Sequence, residues 1–357
     1  MNNMQETNQG QVEQVPFGTV QHNLSDIMPM SSEVGNLWSS YYAESMSVCF
    51  LKSYVAKSKD PDIRPILQLA LDVSTQRVKS MEDIFNSINH PIPDAFGDKD
   101  VDSNAKQLFS ESFTLLYTRL MHKFVSINYC NALTVSSRTD FRNYFHECIN
   151  TSLEIHQKAT EVLLAKGLLI KYPSIVIPDR VDYIHDKSYF GSIIPFIGEK
   201  RPLNALEISH IFSMMETKQL LSTLNLGYSQ VVKSEKVRNF ISKAKQISDK
   251  HLKVLGSSLA DEDIPQPAIS EILVTDSKES PCSDKLILTH ATAVLAFIIS
   301  GYGTALTSTA RIDLVSMYRD FVTEILALTK DGAELMIEGG WLERIPETAD
   351  RKELIQH

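Results

Sequence analysis

The chain has 357 residues, 43% hydrophobic and 22% charged, with 44 acidic against 35 basic side chains and a net charge of -9. That is enough apolar content for two domains of ordinary size, each with its own core, and too much for disorder throughout. The acidic balance, with no basic patch, argues against a general polyanion binder, so no nucleic acid is expected. No apolar run is read as reaching the roughly 18 residues of a membrane helix. The polar, acidic N-terminus lacks a signal peptide's basic and apolar regions. The expectation is a cytoplasmic protein with no membrane segment and no signal peptide. Cys49, Cys130, Cys148 and Cys282 are far apart and form no C-x-x-C, so a disulfide scaffold and a cysteine zinc site are both disfavoured. Packed thiols in a reducing compartment are expected.

Residues 1–30 are rich in Asn, Gln and Gly without a sustained helical or strand period, and read as a flexible arm. Its spaced apolar residues Val15, Phe17, Val20, Leu24, Ile27 and Met28 could anchor on a second copy of the chain. A homo-oligomer or larger assembly through this arm is therefore the expected partnership. From Ser31 the apolar spacing turns helical. Four helices are predicted at 32–57, 62–88, 106–134 and 138–166, and four more at 205–232, 235–259, 284–306 and 311–337. Between the two sets, 168–203 carries prolines and short β-branched runs that suit an extended connector.

The second set repeats the first. Residues 33–93 align without a gap on 207–267, matching Glu33 with Glu207, Tyr54 with Tyr228, Arg64 with Arg238, Ala70 with Ala244 and Ser74 with Ser248. After one deletion, 110–167 align on 283–340, most densely where Y-C-N-A-L-T-V-S-S-R-T-D (129–140) meets Y-G-T-A-L-T-S-T-A-R-I-D (302–313). Apolar positions stay in phase throughout, which marks a duplication.

Within each copy the links between helices one and two, and three and four, are short, so each pair is an antiparallel hairpin. The middle link, 89–103 (NHPIPDAFGDKDVDS), is long and proline-stiffened enough to run the length of a bundle. The predicted fold class is all-α, a tandem duplication of a ferritin-like four-helix bundle with a long crossover between helices two and three. The predicted organisation is an arm (1–30), a first bundle (31–167), a connector (168–203) and a second bundle with a C-terminal tail (204–357).

The motifs E-V-G-N-L-W (33–38), P-I-P-D-A-F (91–96), D-V-D-S-N-A (100–105), R-P-L-N-x-x-E-I (201–208), P-C-S-D-K-L (281–286) and G-W-L-E (340–343) together resemble a family of uncharacterised proteins of spore-forming bacilli. The resemblance spans about residues 31–352. It implies two ferritin-like bundles per chain and an association with sporulation, some members being labelled as spore-coat proteins. It therefore implies a place in the mother-cell cytoplasm or the spore surface layers. Relatives carry a histidine late in the second helix of the first bundle, where this chain has Arg77; the repeat partner keeps His251.

Ferritin-like oxidases hold two metals with a Glu from each of two helices and a Glu-x-x-His from each of the other two. The chain has one Glu-x-x-His, Glu207 to His210, and it follows Asn204 at a helix start, where it reads as a capping box. His251 and His290 fall on parallel helices of the second bundle, offset by roughly 10 Å along the axis, too far to share an ion. Hydrogen-bonded or surface histidines are expected, the alternative being a mononuclear site with Glu324. The run Asp98, Asp100, Asp102, Asn104 starts like a calcium loop but has Ser103 and Phe109 where Gly and Glu are required. The repeated Tyr129, Arg138, Asp140 and Tyr302, Arg311, Asp313 read as a structural lock on the turn between helices three and four. No catalytic residues and no cofactor are assigned. The expected role is a non-enzymatic structural or interaction protein; the alternative is a metal-binding protein or oxidase that uses iron or another transition metal in the second bundle.

Overall fold

The computed structural model describes residues 11–15, 18–191, 200–268, 271 and 273–351. Eight long helices dominate them: α1 (Ser31–Lys57), α2 (Ile63–Ser87), α3 (Glu111–Thr134), α4 (Thr139–Ala165), α5 (Ala205–Val231), α6 (Glu235–Ala260), α7 (Asp284–Ser308) and α8 (Ile312–Glu338). The chain is thus an all-α tandem duplication, as its internal repeat predicts. In the first bundle α1 lies beside α2 and α3, and α4 beside α2 and α3; α5 to α8 repeat the arrangement. Phe85, Phe113, Phe141 and Leu163 fill one core and Ile211, Ile241, Leu255 and Ile325 the other.

Caps repeat with the helices. Ser110 and Ser283 occupy the same repeat position, and their hydroxyls accept from the amides of Phe113 (3.2 Å) and Leu286 (3.1 Å) at the starts of α3 and α7. Each satisfies an amide that the first turn leaves without a carbonyl.

Three sequence expectations are corrected. The arm's sequence shows no sustained strand period, yet Gln11–Val15 (β1) and Gly18–His22 (β2) pair antiparallel, Gln11 opposite His22. The β-branched Val12, Val15, Thr19 and Val20 favour that pairing. Phe17, one of the expected anchors, lies outside the described residues. Second, against the expectation of no apolar run of that length, α7 is by length and composition able to cross a membrane, with a window of mean hydropathy 1.7. Within the fold 61% of that window is buried, because α7 packs into its own bundle and against the other. Third, α3 starts at Glu111 and not near 106, because the preceding residues pair with the other bundle. The thiols divide as well: Cys49, Cys148 and Cys282 are buried, whereas Cys130 is exposed.

That pairing joins the two halves. The amides of Asp102 and Ser110 donate to the carbonyls of Pro281 and Leu273, and those of Thr275 and Ser283 donate to Leu108 and Asp100, each at 2.9 Å. Position by position these bonds are the same bond made twice, once from each copy. Val101 bridges Cys282 and Phe109 bridges Val274, again in reciprocal register. The pattern is that of a two-fold symmetric, isologous dimer written into one chain. Side chains follow it. Phe124 stacks on Phe297, its repeat counterpart, with ring centroids 4.9 Å apart. Phe109 lies so close to α5 that a Cβ on Gly227 would stand 2.5 Å from its ring. At the mirrored contact the smaller Cys282 and the larger Ser53 face one small cavity. Bulk and space have been exchanged between the copies.

The connector leaves the first core through the half-buried Leu168, Leu169 and Ile170 and places Tyr172 on Phe212, centroids 5.2 Å apart. Beyond that, Val176 (92%), Ile177 (86%) and Val181 (81%) are almost fully exposed.

Candidate functional site

Each bundle carries a buried polar cluster halfway along its helices, built from the same repeat positions. In the first, α1 supplies Glu44, α2 Arg77, α3 Tyr129 and α4 Thr151 and Ser152. Arg77 donates from Nη1 to Glu44 at 2.7 Å, and from Nη2 to the Cys148 carbonyl (2.7 Å), Thr151 Oγ1 (2.7 Å) and Ser152 Oγ (2.8 Å). Tyr129 donates a short hydrogen bond to the same Glu44 oxygen, and its ring lies 5.0 Å from the guanidinium carbon. Burial alone would push the Glu44 carboxyl up, but the guanidinium and the tyrosine hydroxyl outweigh it and hold the group below its usual range. The result is a buried, charge-balanced pair.

In the second bundle the corresponding residues are Lys218, His251, Tyr302 and Glu324, so an acid on the first helix has become a base. His251 shares one hydrogen bond with Tyr302 (Nδ1 to Oη, 2.9 Å) and another with Glu324 (Nε2 to Oε2, 3.3 Å), and its ring stacks on Phe321 at 3.8 Å. Burial and then the neighbouring Lys218 drive the imidazole toward its neutral form. Lys218 is 0% exposed and its Nζ has no hydrogen-bond partner, lying 5.6 Å from the centre of the Tyr302 ring. Burial lowers its pKa to about 7, with partial compensation from Glu324.

The dinuclear centre of ferritin-like oxidases does not fit these donors. Glu44 is already engaged by Arg77 and Tyr129, and an ion beside His251 and Glu324 would find two protein ligands next to an amine. Among the described residues no three His, Cys, Asp or Glu side chains converge in a way that could hold a metal.

His290 is not part of the second cluster. It sits between the bundles, with Nε2 2.9 Å from Tyr117 Oη and Nδ1 2.7 Å from Tyr228 Oη. Both nitrogens are thus engaged, and burial takes the pKa down to about 3, leaving a neutral ring. His251 and His290 do not meet, and Glu324 joins only the former.

Four of the six residues expected to lock the turn meet there. Arg138 grips Asp140 through Nε (3.1 Å) and Nη2 (2.8 Å) and reaches the Ile27 carbonyl through Nη1 (2.7 Å). Arg311 grips Asp313 at 3.1 and 2.8 Å and reaches the carbonyl of Arg201, the repeat counterpart of Ile27. Tyr129 and Tyr302 do not belong to it. They lie too far back along α3 and α7 and point into the polar clusters. The missing member is Glu33, or Glu207 in the second copy. Glu33 Oε1 accepts from the amides of Ser137 (2.7 Å) and Arg138 (2.8 Å), while Oε2 accepts from Met30 (2.7 Å). Glu207 closes the expected capping box with Asn204 and is held by Arg201, which with its other hydrogen bonds leaves a pKa of about 2 despite burial. Being identical in both copies was the signal that could have found it.

Of the aspartates resembling a calcium loop, Asp100 is buried between the bundles, accepting from the Ser283 hydroxyl (2.8 Å) and the Gly97 amide (3.2 Å). Asp102 accepts from the Asn104 amide at 2.9 Å. Both serve the crossover.

No curated protein matches the chain. A crystal structure of a "putative spore coat protein" from Bacillus halodurans is similar at 16% identity and a TM-score of 0.40, over 42% of this chain and 98% of that one. Residues 25–181 and 192–354 each match DUF3231, a protein family of unknown function, and with both copies matched the chain belongs to that family.

Proposed function

We propose that this protein is a ferritin-like structural or interaction protein that catalyses no reaction, acts in sporulation or on the spore, and assembles with further copies of itself through the N-terminal arm. The observation that carries the reading is the filling of both mid-bundle positions by internal cations, Arg77 in one copy and Lys218 in the other. Where a ferritin-like oxidase would gather carboxylates around metal, the first bundle is tied by Arg77 and Glu44 and the second by His251 with Tyr302 and Glu324, beside an unpartnered amine. The reciprocal pairing of the two crossovers fits the same role, since it couples the bundles into one block. The connection to spores rests on the motif resemblance and implies the mother-cell cytoplasm or spore surface layers as the place of action. The arm is the natural assembly element because Met28 is 86% exposed at its base.

A second reading, a metal-binding or oxidase protein, is favoured by one observation: His251 and Glu324 lie 3.3 Å apart in the second bundle. Elemental analysis of purified full-length protein, with absorbance recorded after addition of ferrous iron, separates the two. No stoichiometric metal and no oxidation band are expected. Stoichiometric iron lost in His251→Ala would establish the second reading. Light scattering on full-length protein and on a variant lacking residues 1–28 tests assembly: smaller particles are expected from the truncation, and equal sizes would refute the role of the arm.

A further inference from the structure

We propose that the chain binds a small neutral alcohol of the phenol class in a cavity between α1, α3 and α7, at the seam of the two bundles. The cavity measures about 110 Å³. Its walls are mainly apolar and aromatic, among them Met46, Phe50, Met121, Val294 and Phe297, and half-buried Ser47 and Val125 place it near the surface. Three wall residues carry polar atoms that are buried without any hydrogen-bond partner, the Tyr54 hydroxyl, His122 Nδ1 and Glu44 Oε2. Buried groups of this kind are rare in folded proteins and are met by a ligand or by ordered water.

The duplication supplies an internal control. Carried onto the second copy, Ser47 becomes Leu221, Phe50 becomes Leu224, Met121 becomes Val294 and His122 becomes Leu295, and these leucines are buried core residues. A fold that needs only packing at this place uses leucine. The first copy has instead an open volume, a hydroxyl and an imidazole. Tyr54 differs from its counterpart in the same sense: Tyr228 bonds His290, whereas Tyr54 would need a histidine where the first copy has Tyr117.

The lining also selects the ligand. Glu44 reaches the cavity wall with Oε2 unpartnered, so it can accept from a ligand hydroxyl, but its charge is already balanced by Arg77, which bonds Oε1 at 2.7 Å. His122 is 5% exposed, and burial, reinforced by Arg77, keeps it neutral. A charged guest would thus meet no opposite free charge. An apolar cavity of about 150 Å³ accepts benzene; this one is smaller, about 110 Å³, so a single ring enters only as the two methionines yield. One hydroxyl can both donate and accept, as a tyrosine hydroxyl and a free imidazole nitrogen require.

The test is calorimetric titration of full-length protein with phenol and with benzene, alongside Ser47→Leu, which installs the residue of the second copy, and His122→Leu. Saturable binding of phenol, about tenfold tighter than benzene, is expected for the parent chain. Ser47→Leu should abolish both, and His122→Leu should bring phenol down to the level of benzene, with helical circular dichroism unchanged. If Ser47→Leu fails to fold, His122→Leu alone decides. No saturable phenol binding, equal affinity for phenol and benzene in the parent chain, phenol binding that survives Ser47→Leu, or phenol that stays tighter than benzene in His122→Leu would overturn the proposal.

Discussion

Tyr117 and His290 occupy the same position in the two copies of the repeat, and they hydrogen-bond to each other at 2.9 Å across the seam between the bundles. A pair of equivalent residues can meet only on an axis relating the copies, so this bond marks the pseudo-two-fold of the molecule. Divergence at the axis has made the contact hetero-typic, and the histidine takes up Tyr228 with its second nitrogen. Tyr117→Phe strands one imidazole nitrogen in the core. A loss of about 1–3 kcal/mol is expected in denaturant titration, with the helical spectrum preserved.

The same histidine gives the fold an acid limit. His122 and His290 are neutral in the folded chain, burial holding each at a pKa of about 3. Unfolded histidine protonates near 6.5. Between these values the unfolded chain binds more protons than the folded one, so stability rises with pH across roughly 3 to 6.5 and falls as the medium is acidified. Thermal melts at pH 7, 6, 5 and 4 should show a progressive decrease. Replacing His290 with Gln should flatten that slope even if it lowers stability at pH 7.

Cutting the connector should not separate the halves. The chain from 173 to 187 is exposed at almost every residue, whereas the crossovers share four reciprocal backbone bonds at 2.9 Å. A specific protease site inserted between Arg180 and Val181 is expected to yield two fragments on denaturing gels that coelute in native gel filtration. Substituting Asp100 with Ala, which removes the carboxylate held by the Ser283 hydroxyl and the Gly97 amide, should loosen the cleaved pair first.

The two polar clusters should respond oppositely to loss of their first-helix residue. Glu44→Ala leaves Arg77 as an uncompensated buried charge and should cost about 3–5 kcal/mol. Glu44→Met combined with Arg77→Met should recover much of that loss in a double-mutant cycle.

Lys218→Met removes an amine that has no partner and is expected to stabilise by about 1–4 kcal/mol at pH 6. Its folded pKa of about 7 lies below the ordinary lysine value, 10.5. The buried ammonium therefore carries its full cost below pH 7, and the cost fades as pH rises toward 10.5. The gain from methionine should shrink accordingly between pH 6 and pH 9, which paired melts can measure.

Much of the architecture was legible in the residues because it depends on local periodicity. Helical apolar spacing, short hairpin links and long prolines-bearing crossovers are near-neighbour properties, and the repeat displayed them twice. The Arg138–Asp140 and Arg311–Asp313 pairs were legible for the same reason, their partners being two residues apart. Glu33 and Glu207 were harder, since each is about a hundred residues from the turn it locks.

The sequence by itself determined the helices, their duplication and the poverty of metal-binding motifs, all of which follow from spacing along one chain. Tertiary structure alone decided which residues meet across the copies. It took Tyr129 and Tyr302 out of the turn and into the cores, set Glu44 on Arg77, left Lys218 unpaired and placed His290 on the axis. It also opened the cavity beside Tyr54 and His122. These contacts depend on how two crossovers interlock, and the free energy of that pairing is set by residues about 170 positions apart, which no local pattern encodes.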